Sequence, residues 1–303
     1  MSGLVVVGSI NADLVARVDR HPNPGETLLG TGGHVTAGGK GANQAVAAAF
    51  QGAEVHFVGA VGSDAYVAPA TKYLELARVN LEAVAHTAEP TGLAIITVSA
   101  DGENSIVVIP GANATVDAAY VRSHEATLAA AELVLLQGEI PRDGIEAAIA
   151  IAVAHHVPVV VNLAPVIAVD IDILVQVDTL IANEHEAALI LHQFGITSTP
   201  QEPTELIAKL QEVGFSTVVL TLGAAGSLVA TDSITEIPAL KVATVDTTGA
   251  GDAFAGALSA RLIAGDSIED AARYATRVSA VAVQSPGAQA AYPTSPELLP
   301  QER

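Results

Sequence analysis

The sequence predicts an α/β fold: a doubly wound, mostly parallel central sheet with helices on both faces, plus a small β-sheet lid. Short apolar runs of strand length alternate along the 303 residues with longer, alanine-rich runs of helical period. Hydrophobic residues make up 50% of the chain, which is enough to build a substantial core. Two stretches with turn and hairpin signals interrupt the alternation, and these predict the lid.

The elements of the main sheet follow one another in a regular order. The first strand is the LVVVG run at residues 4–8, and the helix after it, at residues 41–51, has small side chains suited to close packing on a sheet. Further strands are predicted at 55–60, 133–137, 158–162, 179–182 and 217–222. Further helices are predicted at 68–78, 142–155, 184–194, 204–213, 250–263 and 268–283. Because the strands are apolar almost throughout, the sheet should be parallel and covered on both faces.

Two stretches are expected to form the lid. Residues 14–35 are rich in glycine and proline, and residues 91–109 have the pattern of two antiparallel strands joined by Asp101-Gly102, a strong hairpin signal. Both stretches follow parallel-type strands, so they should protrude together near one rim of the main sheet. A plain surface hairpin is the alternative. Since no repeat or low-complexity linker divides the chain, residues 1–303 are predicted to form a single domain.

Composition excludes several classes of function. The formal net charge of −20 repels phosphate backbones and anionic lipid, so neither nucleic acid nor a membrane is an expected partner. The sequence has no apolar run of transmembrane length, and its first residues lack the basic region of a signal peptide. The absence of cysteine excludes disulfides, thiol catalysis and Cys-ligated metals. Together these features predict a cytoplasmic protein.

A glycine cluster, TAGGKGAN at residues 36–43, precedes the first long helix. Its three glycines within four positions allow the backbone to approach a ligand and to aim amide N–H groups at it. Lys40 and Asn43 add polar side chains, and Lys40 is one of only four lysines in the chain. The spacing matches neither a Walker A loop nor GxGxxG. A tight loop–helix junction explains the glycines equally well, but a lysine inside the cluster favours binding.

A polar segment directly follows the first strand. Ligands of open parallel sheets bind beyond the carboxyl ends of the strands. Asn11 and Asp13, one residue apart, can offer two acceptors and a donor to adjacent hydroxyls of a polyol. An Asx turn or a helix cap is the alternative explanation of the same residues.

The most informative segment is VDTTGAGDAF at residues 245–254. Gly249-Ala250-Gly251 at a helix start presents consecutive free N–H groups and the positive end of the helix dipole, which predicts an anion hole. A carboxylate at Asp252 is electrostatically unfavourable there unless it acts on a ligand. We therefore predict that Asp252 takes the proton from a hydroxyl that attacks a phosphorus held by the amides. A simple partner of the helix dipole is the alternative role.

Two further strand ends carry polar or glycine-rich turns. The segment NEHE at residues 183–186 follows one strand, and TLGAAG at residues 221–226 ends the next. Together they could hold a nucleotide and its magnesium, since hard oxygen ligands such as Glu186 suit Mg²⁺, acting through water. An ordinary acidic residue of a helix start is the alternative for Glu186.

The segments SINADL, GGKGANQAVAAA, NEHE, TLGAAGS and VDTTGAGDAFAGAL together resemble the PfkB carbohydrate kinase family, from Val5 to about Pro293. DTTGAGDAF is highly specific for the family, and NADL with GGKGANQA is similar to its ribose-phosphorylating members. The resemblance implies ATP-dependent phosphorylation of D-ribose at O5, giving D-ribose 5-phosphate, by a homodimer joined through the lid. A kinase for deoxyribose, fructose or adenosine is the nearest alternative, and a non-catalytic sugar-binding protein is a remote one. An NAD-dependent oxidoreductase would need GxGxxG where this chain has GSINAD.

The resemblance also implies roles for individual residues. Asp252 is similar to the catalytic base, beside the anion hole of Gly249, Ala250 and Gly251. The sugar-binding set that it implies is Asn11, Ala12, Asp13, Gly38, Gly39, Lys40, Gly41, Ala42, Asn43 and Glu139, with Asp252. The set implied for ATP and its Mg²⁺ is Asn183, Glu186, Thr221, Leu222, Gly223, Ala224, Ala225, Gly226, Gly251 and Thr276. A monovalent cation, K⁺, is implied at Asp246, Thr248, Ala282, Ser285 and Gly287.

The chain departs from the family pattern at three positions. Ala291 stands where a serine hydroxyl usually completes the cation site, so a ligand is missing there unless water or a carbonyl replaces it. Val67 stands in place of a glycine outside the matched site, and Thr276 in place of the Asn or His that often lies near adenine.

Overall fold

The computed structural model describes residues 3–300. Its strands are β1 (Leu4–Val7), β2 (Asn11–Arg17), β3 (Gly32–Gly38), β4 (Val55–Val61), β5 (Asn80–His86), β6 (Gly92–Val98), β7 (Asn104–Ile109), β8 (Leu133–Gln137), β9 (Val159–Asn162), β10 (Thr179–Asn183), β11 (Val218–Thr221), β12 (Gly226–Ala230) and β13 (Ile234–Pro238). Its α-helices are α1 (Lys40–Phe50), α2 (Val67–Leu76), α3 (Ala118–Ser123), α4 (Glu125–Ala129), α5 (Arg142–Ala154), α6 (Ile171–Leu174), α7 (Glu184–Gln193), α8 (Pro203–Glu212), α9 (Ala250–Ile263) and α10 (Ile268–Ala282).

The central sheet has nine strands in the order β13-β12-β11-β10-β9-β8-β1-β4-β5. Its strands from β11 to β5 run parallel, and β12 and β13 add an antiparallel edge. Side chains of β1 alternate between two cores: Val5 and Val7 face one, and Leu4 and Val6 face the other. Helices α3, α5, α7 and α8 cover the first core and α1, α2, α9 and α10 the second. The predicted doubly wound α/β class is thus confirmed.

A second, four-stranded sheet has the order β3-β2-β6-β7, in which β2 and β6 run parallel and the outer pairs antiparallel. Its strands extend beyond the segment expected at 14–35. Strand β2 begins at Asn11, and β3 continues to Gly38, opposite Asn11. Asn11 and Asp13 therefore lie within a strand and not in a turn after β1. Gly38 permits this pairing, because a Cβ there would collide with the Asp13 carboxylate.

The edges of the central sheet differ most from the sequence-based expectation. Strand β5 and the hairpin β12–β13 are not predicted, and neither are the short helices α3, α4 and α6. Strand β5 carries Asn80 and Glu82, and all of its side chains are half-buried or exposed, so its sequence lacks the apolar run of an inner strand. The glycine-rich run at residues 221–226 turns the chain back into β12, because Gly226 has a φ of 107° and abuts the β13 backbone.

Two helix starts and several strand ends meet at one edge of the central sheet. Strands β8, β9, β10 and β11 end there in Gln137, Asn162, Asn183 and Thr221. Gln137 is in register with Asn162, and Asn183 with Thr221, while β10 continues two residues beyond Ile181, the partner of Asn162. Helices α1 and α9 begin at the same edge and pack closely, since a Cβ on Gly256 of α9 would strike the α1 backbone. Among residues 3–300, no helix is both long enough and apolar enough to span a lipid bilayer.

Candidate active site

The first turn of α9 presents backbone amides to solvent. Gly249 caps the helix with a φ of 71°, and the Tyr292 hydroxyl donates to its carbonyl at 2.9 Å. The Ala250 N–H donates to the Thr247 carbonyl at 3.1 Å. Within residues 3–300, the amides of Gly251 and Asp252 have no acceptor. Apart from the adjacent residues and the backbone of α9 itself, nothing lies within 4 Å of where a Gly251 Cβ would be. The turn therefore has free donors and open space, as an anion site requires.

The Asp252 carboxylate lies beside these amides and is held by two side-chain amides of α1. Asn43 Nδ2 donates to Asp252 Oδ2 at 2.8 Å, and Gln44 Nε2 donates to Asp252 Oδ1 at 2.9 Å. Asp252 is only 5% exposed. Both carboxylate oxygens thus have a fixed donor, which leaves each oxygen one further lone pair for a ligand.

A cavity of about 220 Å³ opens in front of the helix start. It joins residues from five separate parts of the chain, and its lining is largely polar. The lining residues are Lys40, Asn162, Ala164, Ile181, Asn183, Glu186, Thr221, Thr247, Gly249, Ala250, Gly251 and Asp252. The structure therefore brings the glycine cluster, both polar strand ends and the anion turn to one place.

Lys40 supplies positive charge to this carboxylate-rich site. The negative charge of Asp252, and after it those of Glu139 and Glu186, raises the pKa of the Lys40 ammonium, although burial acts in the opposite direction. The ammonium is therefore charged at neutral pH. Such a group can neutralise an incoming phosphate without needing a proton from solution.

Most of the residues predicted for the sugar lie beside the cavity and not in its lining. Ser9 Oγ and the Lys40 backbone N–H donate to Glu139 Oε2, at 2.6 and 2.9 Å, which fixes that carboxylate at the start of α1. Asn113 Nδ2 donates to Asn11 Oδ1 at 2.7 Å, and the Asn11 NH₂ group has no acceptor within residues 3–300. Ala12, Gly38, Gly39, Gly41 and Ala42 are buried around this junction.

Asp13 is the most perturbed acid of the site. Its Oδ1 is buried without a hydrogen-bond partner within residues 3–300. Burial, and then the charges of Glu139 and Asp252, raise the pKa of the Asp13 carboxyl to about 7. A buried acceptor without a donor is costly unless a ligand satisfies it, so this atom marks a position for a hydroxyl group.

The residues predicted for the nucleotide are only partly brought together. Asn183 and Glu186 form a capping box at the start of α7: the Glu186 N–H donates to Asn183 Oδ1 at 2.8 Å, and the Asn183 N–H to Glu186 Oε2 at 2.9 Å. Glu186 Oε1 takes no part in this box. Thr221 lines the cavity, whereas residues 222–226 turn toward β12. Thr276 does not reach the cavity, since its buried hydroxyl donates to the Ala272 carbonyl within α10.

The residues predicted for a monovalent cation adjoin the anion turn. Asp246 Oδ1 accepts from the Thr248 N–H at 2.9 Å and Oδ2 from the Gly287 N–H at 2.8 Å. Burial opposes ionisation of Asp246, but these hydrogen bonds outweigh it and lower its pKa. Ser285 donates its N–H to the Ala282 carbonyl at 3.4 Å. In residues 3–300, no cluster of three or more His, Asp or Glu side chains could hold a metal ion.

Several polar residues of the site were not predicted. Gln137 and Asn162 end otherwise apolar strands, and that pattern could have revealed them. Gln44 sits in a helix of small residues, where it is fully buried. Gln289 and Tyr292 reach the site from the C-terminal segment, and no local sequence signal points to them.

Comparison with known proteins agrees with this geometry. Residues 1–295 match the pfkB family of carbohydrate kinases. The chain is 38% identical to the ribokinase of Schizosaccharomyces pombe, over 97% of this chain and 96% of the relative. It is 37% identical to the ribokinase of Haemophilus influenzae, over 98% and 97%. Its fold resembles that of the Arabidopsis thaliana ribokinase complexed with ribose and ATP, with a TM-score of 0.87, 32% identity, and coverage of 97% of this chain and 96% of that one.

Proposed function

The chain belongs to the pfkB family of carbohydrate kinases, and from that membership we propose that it transfers the γ-phosphoryl group of ATP to O5 of D-ribose. The products are D-ribose 5-phosphate and ADP. The observation that carries this proposal is the buried Asp252 carboxylate, held beside free amides and facing a polar cavity. The ribokinases that match over nearly the whole chain support the choice of sugar.

The sugar side of the site is the group of residues around Asp13. The unpartnered Asp13 Oδ1 accepts a hydrogen bond from a sugar hydroxyl, and the amide of Asn11 donates one. Lys40 is the sole basic residue among the predicted sugar contacts. A phosphorylated sugar would bring further negative charge next to Asp13, Glu139 and Asp252, so a neutral sugar fits better.

In the chemical step, Asp252 accepts the proton of the O5 hydroxyl as that oxygen bonds to the γ-phosphorus. The bond between the γ-phosphorus and the bridging oxygen of ADP breaks at the same time. The free amides of Gly251 and Asp252 stabilise the charge of the transferring group, and Lys40 adds a full positive charge. Removing an oxyanion-hole donor in a known enzyme lowers kcat on the order of 10²–10³-fold.

Two inorganic cations belong to the proposal. When bound with ATP, Mg²⁺ neutralises phosphate charge. It usually takes one or two carboxylates besides phosphates and water. The cavity fits this requirement, because Asn183 and Glu186 line its wall. We place K⁺ beside the anion turn, at Asp246, Thr248, Ala282, Ser285 and Gly287. There the Asp246 carboxylate would supply negative charge, and backbone carbonyls would supply further oxygens.

The four-stranded sheet is proposed to act as a lid and to join two copies of the chain. Pairing places Val35, Leu14, Ile95 and Val107 in one row across its four strands. Val35, Ile95 and Val107 are 44%, 42% and 59% exposed. Because side chains alternate along a strand, this row lies on the face opposite Asp13. An exposed apolar face of this kind is suited to a self-complementary contact in a homodimer.

We also propose the cytoplasm as the location, because the reaction consumes ATP and the sequence has no cysteine that would favour an oxidising compartment. Deoxyribose, fructose and adenosine remain the alternative acceptors. Relative to ribose, deoxyribose lacks the 2-hydroxyl, fructose is a ketohexose, and adenosine carries a base at C1.

The function is tested by coupled ADP release with Mg·ATP and each of the four acceptors, in parallel with a reaction that lacks acceptor. Ribose should give the highest kcat/KM, and ³¹P–¹³C coupling in the product should locate the phosphate on C5. A higher kcat/KM with another acceptor would identify that compound, and not ribose, as the preferred substrate. Sugar binding without any ADP release would identify a non-catalytic sugar-binding protein.

A further inference from the structure

The carboxylate of Asp252 is held by a buried chain of side-chain amides that the proposed reaction does not explain. Gln44 Nε2 donates to both Asp252 Oδ1 and Asn162 Oδ1, at 2.9 and 3.0 Å. Gln137 Nε2 donates to Gln44 Oε1 at 2.8 Å. Gln44 is 0% exposed, Gln137 1% and Asn162 7%. These hydrogen bonds are therefore shielded from solvent.

The directions of the hydrogen bonds in this chain follow from the carboxylate. An ionised carboxylate only accepts, so the Gln44 side chain must turn its NH₂ group toward Asp252. Its carbonyl oxygen then faces away and needs a donor in a buried position, which Gln137 supplies. A flipped Gln44 would turn its oxygen toward two acceptors, Asp252 Oδ1 and Asn162 Oδ1. Gln137, whose own Oε1 has no partner within residues 3–300, stabilises the observed orientation further by donating to Gln44 Oε1.

A second branch has the same form on the other oxygen. Gln289 Nε2 donates to Asn43 Oδ1 at 2.8 Å, and Asn43 Nδ2 donates to Asp252 Oδ2 at 2.8 Å. Each oxygen of Asp252 thus receives one amide donor whose own oxygen is fixed by a glutamine behind it. A partial rotation of the carboxylate about its Cβ–Cγ bond would misalign both bonds.

We propose that Gln44 and Gln137 are positioning residues of phosphoryl transfer: Gln137 fixes the amide orientation of Gln44, and Gln44 fixes the Asp252 carboxylate toward the attacking hydroxyl. The proposal rests on the function proposed above, because it assigns Asp252 the role of base. It deepens that function by extending the machinery to Gln137, which does not touch Asp252. Catalysis is sensitive to small misplacements of this kind, since the reacting atoms must be aligned in the bound state.

The test uses Gln44→Leu, Gln137→Leu and the double variant, with Gln51→Leu as matched control. Gln51 is likewise a buried glutamine with a bonded amide, 7% exposed, but its partners are the Pro293 carbonyl and the Tyr274 hydroxyl. Each protein is characterised by its melting temperature, by calorimetric ribose affinity without ATP, and by kcat. The kinetics use whichever of the four acceptors gives the unchanged protein its highest kcat/KM.

Gln44→Leu should lower kcat about 10- to 100-fold, the range for losing a hydrogen bond to a charged group. Gln137→Leu should lower it about three- to tenfold, and the double variant should be no slower than Gln44→Leu, since Gln137 acts through Gln44. Ribose affinity should stay within about threefold, as expected for an interaction used in the transition state. Gln51→Leu should lower the melting temperature without lowering kcat.

Three results would overturn the proposal: unchanged kcat in Gln44→Leu, equal losses of kcat in Gln51→Leu, or additive losses in the double variant. If Gln44→Leu does not fold, the comparison of kcat between Gln137→Leu and Gln51→Leu tests the proposal. A loss confined to Gln137→Leu supports it, and equal values overturn it. A preference for an acceptor other than ribose would refute only the choice of sugar. Absence of turnover with every acceptor would contradict both proposals.

Discussion

The elevated pKa of Asp13 predicts that sugar binding weakens as the pH falls below neutrality. Burial and the neighbouring carboxylates Glu139 and Asp252 raise this pKa from 3.8 to about 7 in the folded protein. Above pH 7 the side chain is a carboxylate, and its unpartnered Oδ1 accepts from a sugar hydroxyl. Below pH 7 it is protonated in the free protein, and binding must release that proton.

The size of the effect follows from the pKa. If the ionised form binds, the apparent dissociation constant rises by the factor 1 + 10^(pKa − pH), which is roughly 11 at pH 6.0 and close to 1 at pH 8.5 for a pKa near 7. We therefore expect ribose affinity to fall about tenfold between pH 8.5 and pH 6.0. Calorimetry in buffers of different ionisation enthalpy should also detect release of close to one proton at pH 6.0.

The same group links pH to stability with the opposite sign from a salt-bridged acid. The folded pKa of Asp13 lies above its unfolded value, so folding takes up a proton between pH 3.8 and about 7. This contribution to stability is fully present below pH 3.8 and is lost as the pH rises through 7. Asp13→Asn should therefore raise the melting temperature at pH 8 while weakening ribose binding and removing its pH dependence. An unchanged dissociation constant from pH 6.0 to 8.5 in the unsubstituted protein would refute this reasoning.

Three further predictions concern the anion turn, the second sheet and the cation. Gly249→Ala should lower kcat at least tenfold, because the φ of Gly249 is 71° and a Cβ there would lie 2.5 Å from the Tyr292 hydroxyl. The control is Gly265→Ala, whose φ is 91° and whose Cβ would enter open space; this variant should keep its kcat. Val107→Asp should give monomers in sedimentation velocity, unlike Leu240→Asp outside that sheet; a dimer in both would reject the interface. Exchanging K⁺ for Na⁺ should lower kcat, and Ala291→Ser should enlarge the difference in kcat between the two salts. Equal kcat values in K⁺ and Na⁺ would reject the proposed cation site.

The inner part of the fold was predictable because burial leaves a strong signal there. Strands such as β1 and β8 are apolar at every buried position, up to the final Gln137, and the small side chains of α1 allow its close approach to α9. Edge elements have no such signal. In β5 each side chain is at least partly exposed, so apolar and polar residues mix without the pattern of a core strand.

The site was predictable where its chemistry is local in sequence. The turn of Gly249 to Asp252 combines free amides with a carboxylate, and a reader can recognise both in adjacent residues. The amides that hold Asp252 could not be found in this way, because Gln289 is 246 positions from Asn43 and meets it only in the folded chain. Thr276 shows the reverse case: a residue predicted near adenine from the resemblance has its hydroxyl bonded within α10.

The rate of Asp252→Asn with ribose and Mg·ATP tests whether Asp252 is the catalytic base. The substitution keeps the size of the side chain and removes its ability to take a proton. We predict that ADP release falls by about 10²–10⁴-fold in a variant that still folds and binds ribose. Its melting temperature should be lower, because the new NH₂ group faces one of the two amide donors that the carboxylate accepts. Turnover at an unchanged rate in the folded variant would show that Asp252 does not take the proton of the attacking hydroxyl.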